Sequence, residues 1–339
     1  MSSHDVVRFG EGHIRSAAQL FSSNFRAARR AQPLLPRCFE DPTSIEPWLA
    51  ELAGRRPGVA AVEGDTLVGY LVGGVIPSWR GARTAFVPFW AHAVRGEERG
   101  RTMEDMYSEL TGEWTGDGCS IYLVTVLAHD KETIDTLFRV GHGMAVYDTM
   151  RELRAVEGPF AEVDVRRAGP EDSDTFRVLR AGLVEGMSGP PVFLVTGEGK
   201  TEEYYRDWLG NRLKAVWLAK HRGVAAGYMQ ACPLDERVLV TDEKTAWVQG
   251  AYTKPELRSQ GIAAVLLREC VEWARLEGYE RIAVDFEGEN VLGRRFWLKH
   301  FEPVTVSLVR HLDSRVPGRS VSATAQGDEE SRTGASSSS

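Results

Sequence analysis

Apolar and polar residues alternate between strand-like and helix-like patterns along the carboxy-terminal half of the chain. The segments "KAVWLAKHRGVAAGYMQACPL", "TAWVQGAYT" and "RIAVDF" are typical of strands, and the first contains a tight turn at 221–223. Between the last two segments, one helical face carries the apolar residues Leu266, Leu267, Cys270, Val271 and Ala274. The same reasoning predicts a strand near 163–167, a helix capped around 171–173, a helix at 201–213, a helix that begins near Asn290, and a final strand "VTVSLVRHL".

The amino-terminal half repeats this order in weaker form. "GVAAVEGDTLVGYLVGGV" predicts a hairpin that turns at 63–65, and "FVPFWAHAV" is followed by a polar turn and a helix. "SIYLVTVL" then predicts a strand, and "DKETIDTLFRVGHGM" a helix. The repetition predicts an α/β fold with two tandem domains, each a mixed, mostly antiparallel sheet with helices on both faces.

A Gly-Pro pair at 158–159 suggests where the two domains meet. We therefore expect one domain at 1–155 and a second at 160–313, and a single large α/β domain is the alternative. From Ser314 onward the sequence has almost no aliphatic side chains and ends in four serines, so 314–339 is predicted to be a disordered tail.

Composition narrows the function classes. The 339 residues are 42% hydrophobic and 26% charged, with a formal net charge of -7. An acidic balance argues against nucleic acid as a partner, and the absence of a long apolar run argues against a membrane segment, so we expect a cytoplasmic protein. The four cysteines lie far apart and the eight histidines lack ligand spacing, which predicts reduced, packed cysteines and no metal.

The stretch "YTKPELRSQGIAAVLL", residues 252–267, places a glycine turn directly before an apolar helix. The first N–H groups of a helix have no partner within the helix, and the helix dipole adds partial positive charge there. Such a turn is suited to bind an anion such as a phosphate. Arg258 adds a charged donor, and Gly261 permits a close approach of the backbone. An ordinary turn with a solvated arginine is the alternative.

Residues 248–304 resemble the coenzyme A-binding core of the GCN5-related N-acetyltransferases. The family motif Arg/Gln-x-x-Gly-x-Gly/Ala is matched by "RSQGIA", and here too a strand precedes the motif and a helix follows it. The first half resembles this core only in the order of its elements. The resemblance implies a tandem member with a degenerate first copy, which binds acetyl-coenzyme A as the acyl donor and acetylates a primary amine of a small molecule or a peptide amino terminus.

The resemblance also assigns cofactor-binding residues. Backbone groups of the preceding strand are expected to bind the pantetheine arm, amides of the turn the pyrophosphate, and an asparagine the pantetheine. At these positions the chain has Ala251, Tyr252, Thr253, Arg258, Ser259, Gln260, Gly261, Ile262, Ala263, Ala264 and Asn290. An N-cap of the last helix is an equally compatible role for Asn290.

Two positions are candidates for the chemistry. Acetyl transfer needs a neutral amine and a proton for the leaving thiolate. Asp285 stands where family members that acetylate protein amino termini have a basic glutamate, although a structural carboxylate is equally open. The usual acid, a tyrosine seven residues after the asparagine, is replaced by Trp297, whose indole does not release a proton. Proton delivery then falls to water, Tyr252 or another group, and a coenzyme A-binding sensor without catalysis is the alternative function.

Three further expectations concern the acceptor and the first half. Glu287 and Glu289 could make the acceptor end of the cleft negative, or form a solvated loop. The Gly/Pro-rich segment 186–200 is placed by the resemblance as an acceptor-contacting loop. In the first half, Glu97 and Glu98 stand near the turn that corresponds to "RSQG", so we predict that this half binds no coenzyme A and forms one wall of the acceptor cleft.

Overall fold

The computed structural model describes residues 4–54, 58–195, 200–233 and 240–316. All but the first three residues of the predicted disordered tail lie outside these ranges. The elements of the first half are β1 Asp5–Arg8, α1 Glu11–Ala31, α2 Glu46–Ala53, β2 Gly58–Glu63, β3 Thr66–Val72, β4 Gly74–Trp79, β5 Ala82–Val87, β6 His92–Val94, α3 Arg99–Gly116, β7 Ile121–Leu127, α4 Lys131–Arg139 and β8 Gly143–Glu152.

The second half follows the predicted order closely. Its elements are β9 Asp164–Arg167, α5 Ser173–Ser188, α6 Glu202–Gly210, β10 Ala215–His221, β11 Val224–Pro233, β12 Thr245–Thr253, α7 Ile262–Leu276, β13 Arg281–Glu287, α8 Val291–His300 and β14 Glu302–His311. The predicted loop that begins at 186 is shorter, because α5 continues to Ser188. Helices cover both faces of the sheet, since α7 and α8 pack into one apolar cluster, and α5 and α6 into another.

All strands of the second half and four of the first half share one sheet. Its ten strands run in the order β4-β5-β7-β14-β8-β13-β12-β11-β10-β9, and β1-β2-β3-β6 form a separate four-stranded sheet. The last strand of each half therefore lies in the other half: β14 is inserted between β7 and β8, and β8 between β13 and β14. This exchange, which the sequence did not predict, holds the two halves together through backbone hydrogen bonds.

Several first-half elements were not predicted. The longest is α1, whose face of Ala17, Phe21, Phe25 and Ala28 is buried in the core of the first half. Its helical spacing of apolar residues is the signal that would have found it. The hairpin of β4 and β5 was also missed. All four cysteines are free, but only three are buried, and Cys38 is exposed, which corrects the expectation that all four are packed.

Candidate active site

A gap opens in the second half where two parallel strands separate. The strands β12 and β13 pair only at three positions, from Thr245 to Trp247, after which β12 pairs with β11 alone. A bulge between Val248 and Gly250 leaves Gln249 out of the register with β11 and bends the strand at this point. The backbone of β12 beyond the bulge, which includes Ala251, Tyr252 and Thr253, therefore has one edge without a strand partner. An extended ligand can add to that edge in the manner of a strand.

The amino terminus of α7 lies at the end of β12. Gly261 caps the helix in the left-handed region at φ 90°, and Ser259 is also left-handed at φ 62°. The first hydrogen bond of the helix runs from the N–H of Val265 to the carbonyl of Gly261. Among the described residues, the backbone N–H groups of Ile262, Ala263 and Ala264 have no acceptor. The turn thus presents three adjacent donors and the positive end of the helix dipole.

Charged and polar side chains surround this turn at the surface. Arg258, Ser259 and Gln260 are all exposed. The Nε of Arg258 donates to the carbonyl of Thr253 at 3.1 Å, and its guanidinium carbon lies 5.9 Å from the centre of the Tyr252 ring. These contacts hold the arginine beside the turn while leaving its remaining donors free to meet an anion.

The segment that joins the two halves passes directly against Gly261. A Cβ atom at position 261 would lie 2.4 Å from the carbonyl oxygen of Pro159 and 3.0 Å from the backbone nitrogen of Ala161. Next to it, the ring of Phe160 lies 5.0 Å from the guanidinium carbon of Arg268 on α7. The turn requires glycine for two reasons, which are its positive φ and the close approach of this segment.

Asn290 and Trp297 hold α8 in place. The Asn290 side chain accepts a hydrogen bond from the N–H of Gly293 at 2.9 Å, which is the N-cap role, and its pantetheine role stays a prediction. Trp297 is buried and packs against Phe296 and Phe301, with ring centres 4.9 and 5.5 Å apart. Its indole thus contributes to the apolar core between α7, α8 and the sheet.

Asp285 lies at the level where β12 and β13 separate. Its Oδ1 accepts a hydrogen bond from the Nε1 of Trp247 at 2.9 Å. Directly opposite on β8 stands Asp148, a residue of the first half, whose carboxyl accepts from the Thr305 hydroxyl. Burial first, and the neighbouring charge of Asp285 second, raise the pKa of Asp148 to about 7, although the hydrogen bond from Thr305 opposes them. Sequence reasoning missed Asp148, since only the strand exchange brings it here.

The acidic turn after β13 is not simply solvated. Arg80, at the tip of the β4–β5 hairpin, pairs with Glu287 and lies 3.8 Å from Glu289. The guanidinium of Arg80 also stacks on the Trp79 ring at 4.4 Å. Burial raises the pKa of Glu287, while Arg80 lowers it. A cation of the first half therefore offsets part of the negative charge that the sequence predicted here.

In the first half the corresponding helix is α3, and side chains of the protein itself already bind its amino terminus. The N–H of Gly100 donates to the Glu132 carboxylate at 3.0 Å, and Arg99 pairs with Asp130 at 2.7 Å. Glu98 is the N-cap residue of α3 and Glu97 precedes it, so both lie where we expected them, but both are exposed and the acceptor of the Gly100 N–H is Glu132. The carboxylate comes from α4, which sequence alignment of the two turns did not consider.

The strands of the first half that correspond to β12 and β13 are bridged by a side chain. His92 on β6 is buried, and its Nε2 lies 2.9 Å from the carbonyl oxygen of Thr125 on β7. Burial lowers the pKa of His92, so the ring is neutral at pH 7 and fills the space as an uncharged group.

Two remaining expectations concern a membrane segment and a metal site within the described ranges. In these ranges no helix is long and apolar enough to span a bilayer. Within the same part of the chain, no group of three or more His, Cys, Asp or Glu side chains is arranged to hold a metal ion.

The model of the "Acetyltransferase (GNAT) family" matches residues 189–301. An "Uncharacterized N-acetyltransferase" of Archaeoglobus fulgidus is 30% identical over 138 residues, which are 40% of this chain and 89% of that protein.

Solved structures of similar shape cover nearly the whole chain. A GCN5-related N-acetyltransferase from Sphaerobacter thermophilus matches with a TM-score of 0.55 and 14% identity, over 92% of this chain and 96% of that one. A tandem GNAT protein from the clavulanic acid biosynthesis pathway matches with a TM-score of 0.47 and 14% identity, over 91% and 98% of the two chains. The first of these supports the fold of a GCN5-related N-acetyltransferase over nearly the whole chain.

Proposed function

The chain belongs to the GNAT family of acetyltransferases, and from this membership we propose that residues 160–313 transfer an acetyl group from acetyl-coenzyme A to a primary amine. The acceptor class is a small molecule or the amino terminus of a peptide. The observation that carries the proposal is the row of unpaired N–H groups at the amino terminus of α7, at the end of the gap between β12 and β13.

Acetyl-coenzyme A, the acyl donor, would bind along the amino terminus of α7 and the gap between β12 and β13. Its pyrophosphate accepts from the N–H groups of Ile262, Ala263 and Ala264, and the exposed guanidinium of Arg258 adds charge. Its pantetheine arm pairs with the free edge of β12 at Ala251 to Thr253. The thioester then reaches the level of the bulge, close to Asp285, which lies just beyond the last paired position of β12 and β13.

The reaction breaks the carbon–sulfur bond of the thioester and forms a carbon–nitrogen bond to the amine. Most alkylamines are protonated at neutral pH, so a base must remove a proton from nitrogen. We assign this role to Asp285, directly or through a water molecule. The leaving thiolate takes a proton from solvent or from Tyr252, because Trp297 is packed in the core and does not release one.

The first half would have a supporting role. Its α3 terminus is occupied by Glu132 and its strand gap by His92, so we infer that it binds no coenzyme A. Its Arg80 instead borders the acceptor end of the second half, beside Glu287.

Calorimetric titration of the full chain with coenzyme A tests the donor site, and we expect one molecule bound per chain. Thiol release from acetyl-coenzyme A, followed across a panel of amines and short peptides, tests the transfer. Absence of binding at millimolar coenzyme A would overturn the donor site. Binding without release for any acceptor would favour the sensor alternative.

A further inference from the structure

A row of polar side chains crosses four strands beneath the gap. In strand order these are Thr305 on β14, Asp148 on β8, Asp285 on β13 and Trp247 on β12. Backbone register places Thr305 opposite Asp148, and Asp148 opposite Asp285. Two hydrogen bonds, from Thr305 to Asp148 and from Trp247 to Asp285, fix the outer members of the row. Two carboxyl groups from different halves of the chain therefore stand side by side.

The two carboxyl groups differ in their access to water. Asp148 is 7% exposed, whereas Asp285 is partly exposed and lies two residues beyond the last paired position of β12 and β13. Two carboxylates at neighbouring positions repel each other, and the repulsion is strongest when one of them is buried. The pair consequently retains one proton at a pH where an isolated carboxyl group has lost it. Because the buried member gains most from neutrality, the proton resides mainly on Asp148 and the charge on Asp285.

We propose that Asp148, carried into the second half by the strand exchange, is a positioning residue that shares one proton with Asp285 and so sets the pH at which Asp285 acts as the base. This inference rests on the proposed function. Asp148 does not reach the cleft itself, so its effect passes through Asp285. The proton taken from the amine enters the pair at Asp285 and leaves to solvent by the same exposed carboxyl group.

The surroundings of Asp148 contain few other charges. On β13 the same face continues from Asp285 to Glu287, which is paired with Arg80 from the β4–β5 hairpin. On β14 the facing residues are Thr305 and Ser307, and neither carries a charge. The pKa of Asp148 is thus governed by burial, by the charge of Asp285 and by the Thr305 hydroxyl.

The first half contains a matched, uncharged copy of this pair. Thr125 is the fifth residue of β7, as Asp285 is the fifth of β13, and it stands opposite Ser307 on the exchanged strand β14. Their hydroxyl oxygens are 2.8 Å apart. Ser307→Ala is therefore a control that removes a side-chain contact at the equivalent position without altering charge.

The first experiment needs no substrate. The pKa of Asp148 is raised from its ordinary value to about 7, so its contribution to stability is complete at low pH and is lost as the pH rises through 7. Asp148→Asn keeps the side-chain volume but cannot ionise, so it does not lose stability in this way as the pH rises. We expect its melting temperature to gain about 5 °C relative to the unmodified protein between pH 5 and pH 8. Ser307→Ala should show no such pH-dependent gain, and parallel curves for Asp148→Asn and the unmodified protein would overturn the shared proton.

The second experiment follows the pH dependence of kcat/KM. The acidic limb follows the loss of the shared proton, because Asp285 is the stronger base once Asp148 is also ionised. Asp148→Asn lacks this second ionisation, so the limb of its profile should move to lower pH by at least about one unit. Thr305→Val removes the hydrogen bond that stabilises the Asp148 carboxylate. The acidic limb of its profile should therefore move to higher pH, opposite to the shift of Asp148→Asn. The ionisation of the acceptor is common to all variants and cancels in the comparison.

The outcomes separate this proposal from the proposed function. Shifts of opposite sign in the two variants, with the profile of Ser307→Ala unchanged, support the role of Asp148. If both variants are active and the acidic limbs of their kcat/KM profiles do not move, that role is overturned, while acetyl transfer stays intact. If no amine is acetylated at all, the melting experiment still decides whether the two carboxyl groups share a proton.

Discussion

The amino termini of α3 and α7 show how two copies of one fold acquire different capacities. In the first half, the Glu132 carboxylate accepts from Gly100, so the positive end of α3 is already neutralised. In the second half, the corresponding N–H groups have no acceptor among the described residues, and an exposed arginine stands beside them. We therefore propose that the same backbone shape binds an anion in the second half, whereas in the first half a carboxylate of the protein already occupies that position.

The strands beneath these helices differ in the same sense. In the first half, His92 bridges β6 and β7, and the row below consists of the neutral hydroxyls of Thr125 and Ser307. In the second half the gap is open, and the equivalent row holds the carboxyls of Asp148 and Asp285. Only the second half thus combines carboxyl groups with an open gap between strands. A site for charged substrates requires this combination.

The largest expected effect comes from removing the charge of Asp285. This change makes the polar row of the second half as neutral as the Thr125–Ser307 row of the first half. Asp285→Asn should lower kcat by about 100-fold or more, because it removes the proposed base while keeping the side-chain volume. Affinity for coenzyme A should stay unchanged, since the residue lies away from the turn. Single-turnover acetyl transfer and calorimetry measure the two quantities.

Thr125→Val is the matched control for this change, as it alters the equivalent strand position of the first half. It should leave kcat within about twofold. Equal losses in both variants would mean that Asp285 acts only through packing.

The next largest effect concerns the turn. Gly261→Ala introduces a Cβ 2.4 Å from the Pro159 carbonyl oxygen at a residue with φ 90°. The turn and the joining segment must move apart, and we expect the Kd for coenzyme A to rise about 10- to 100-fold.

Gly278→Ala is the control at the other end of α7. Its φ of 85° imposes a similar backbone cost, but no atom lies within 4 Å of the added Cβ. Melting temperatures should fall in both variants, whereas affinity should fall only in Gly261→Ala. Unchanged affinity in Gly261→Ala would remove the turn from the donor site.

The smallest expected effect tests whether Glu132 alone silences the first half. Glu132→Gln keeps a hydrogen-bond acceptor for Gly100 but removes its charge, which should cost about 1 kcal/mol of stability. Since His92 still fills the gap, calorimetry should again give one coenzyme A per chain. A second bound molecule would show that the carboxylate was the sole obstacle.

Sequence reasoning predicted the second half more fully than the first. The elements around "RSQGIA" and the N-cap role of Asn290 are confirmed, because they depend on local signals such as a left-handed glycine and a capping side chain. The helix α1 was missed although its periodicity was present. Asp148, Arg80 and Glu132 were missed for a different reason: each acts on a partner more than 30 positions away, or in the other half.

By itself, the sequence determined the local structures: which segments are strands and helices, and where a glycine opens the amino terminus of a helix. These follow from periodicity and from the backbone preferences of single residues, which operate over a few positions. Only the tertiary structure decided which charges meet, because the exchange of β8 and β14 between the halves brings Asp148 to Asp285. The proton that this pair is proposed to share depends on burial and on a distance between two strands, and neither quantity is encoded in a local pattern.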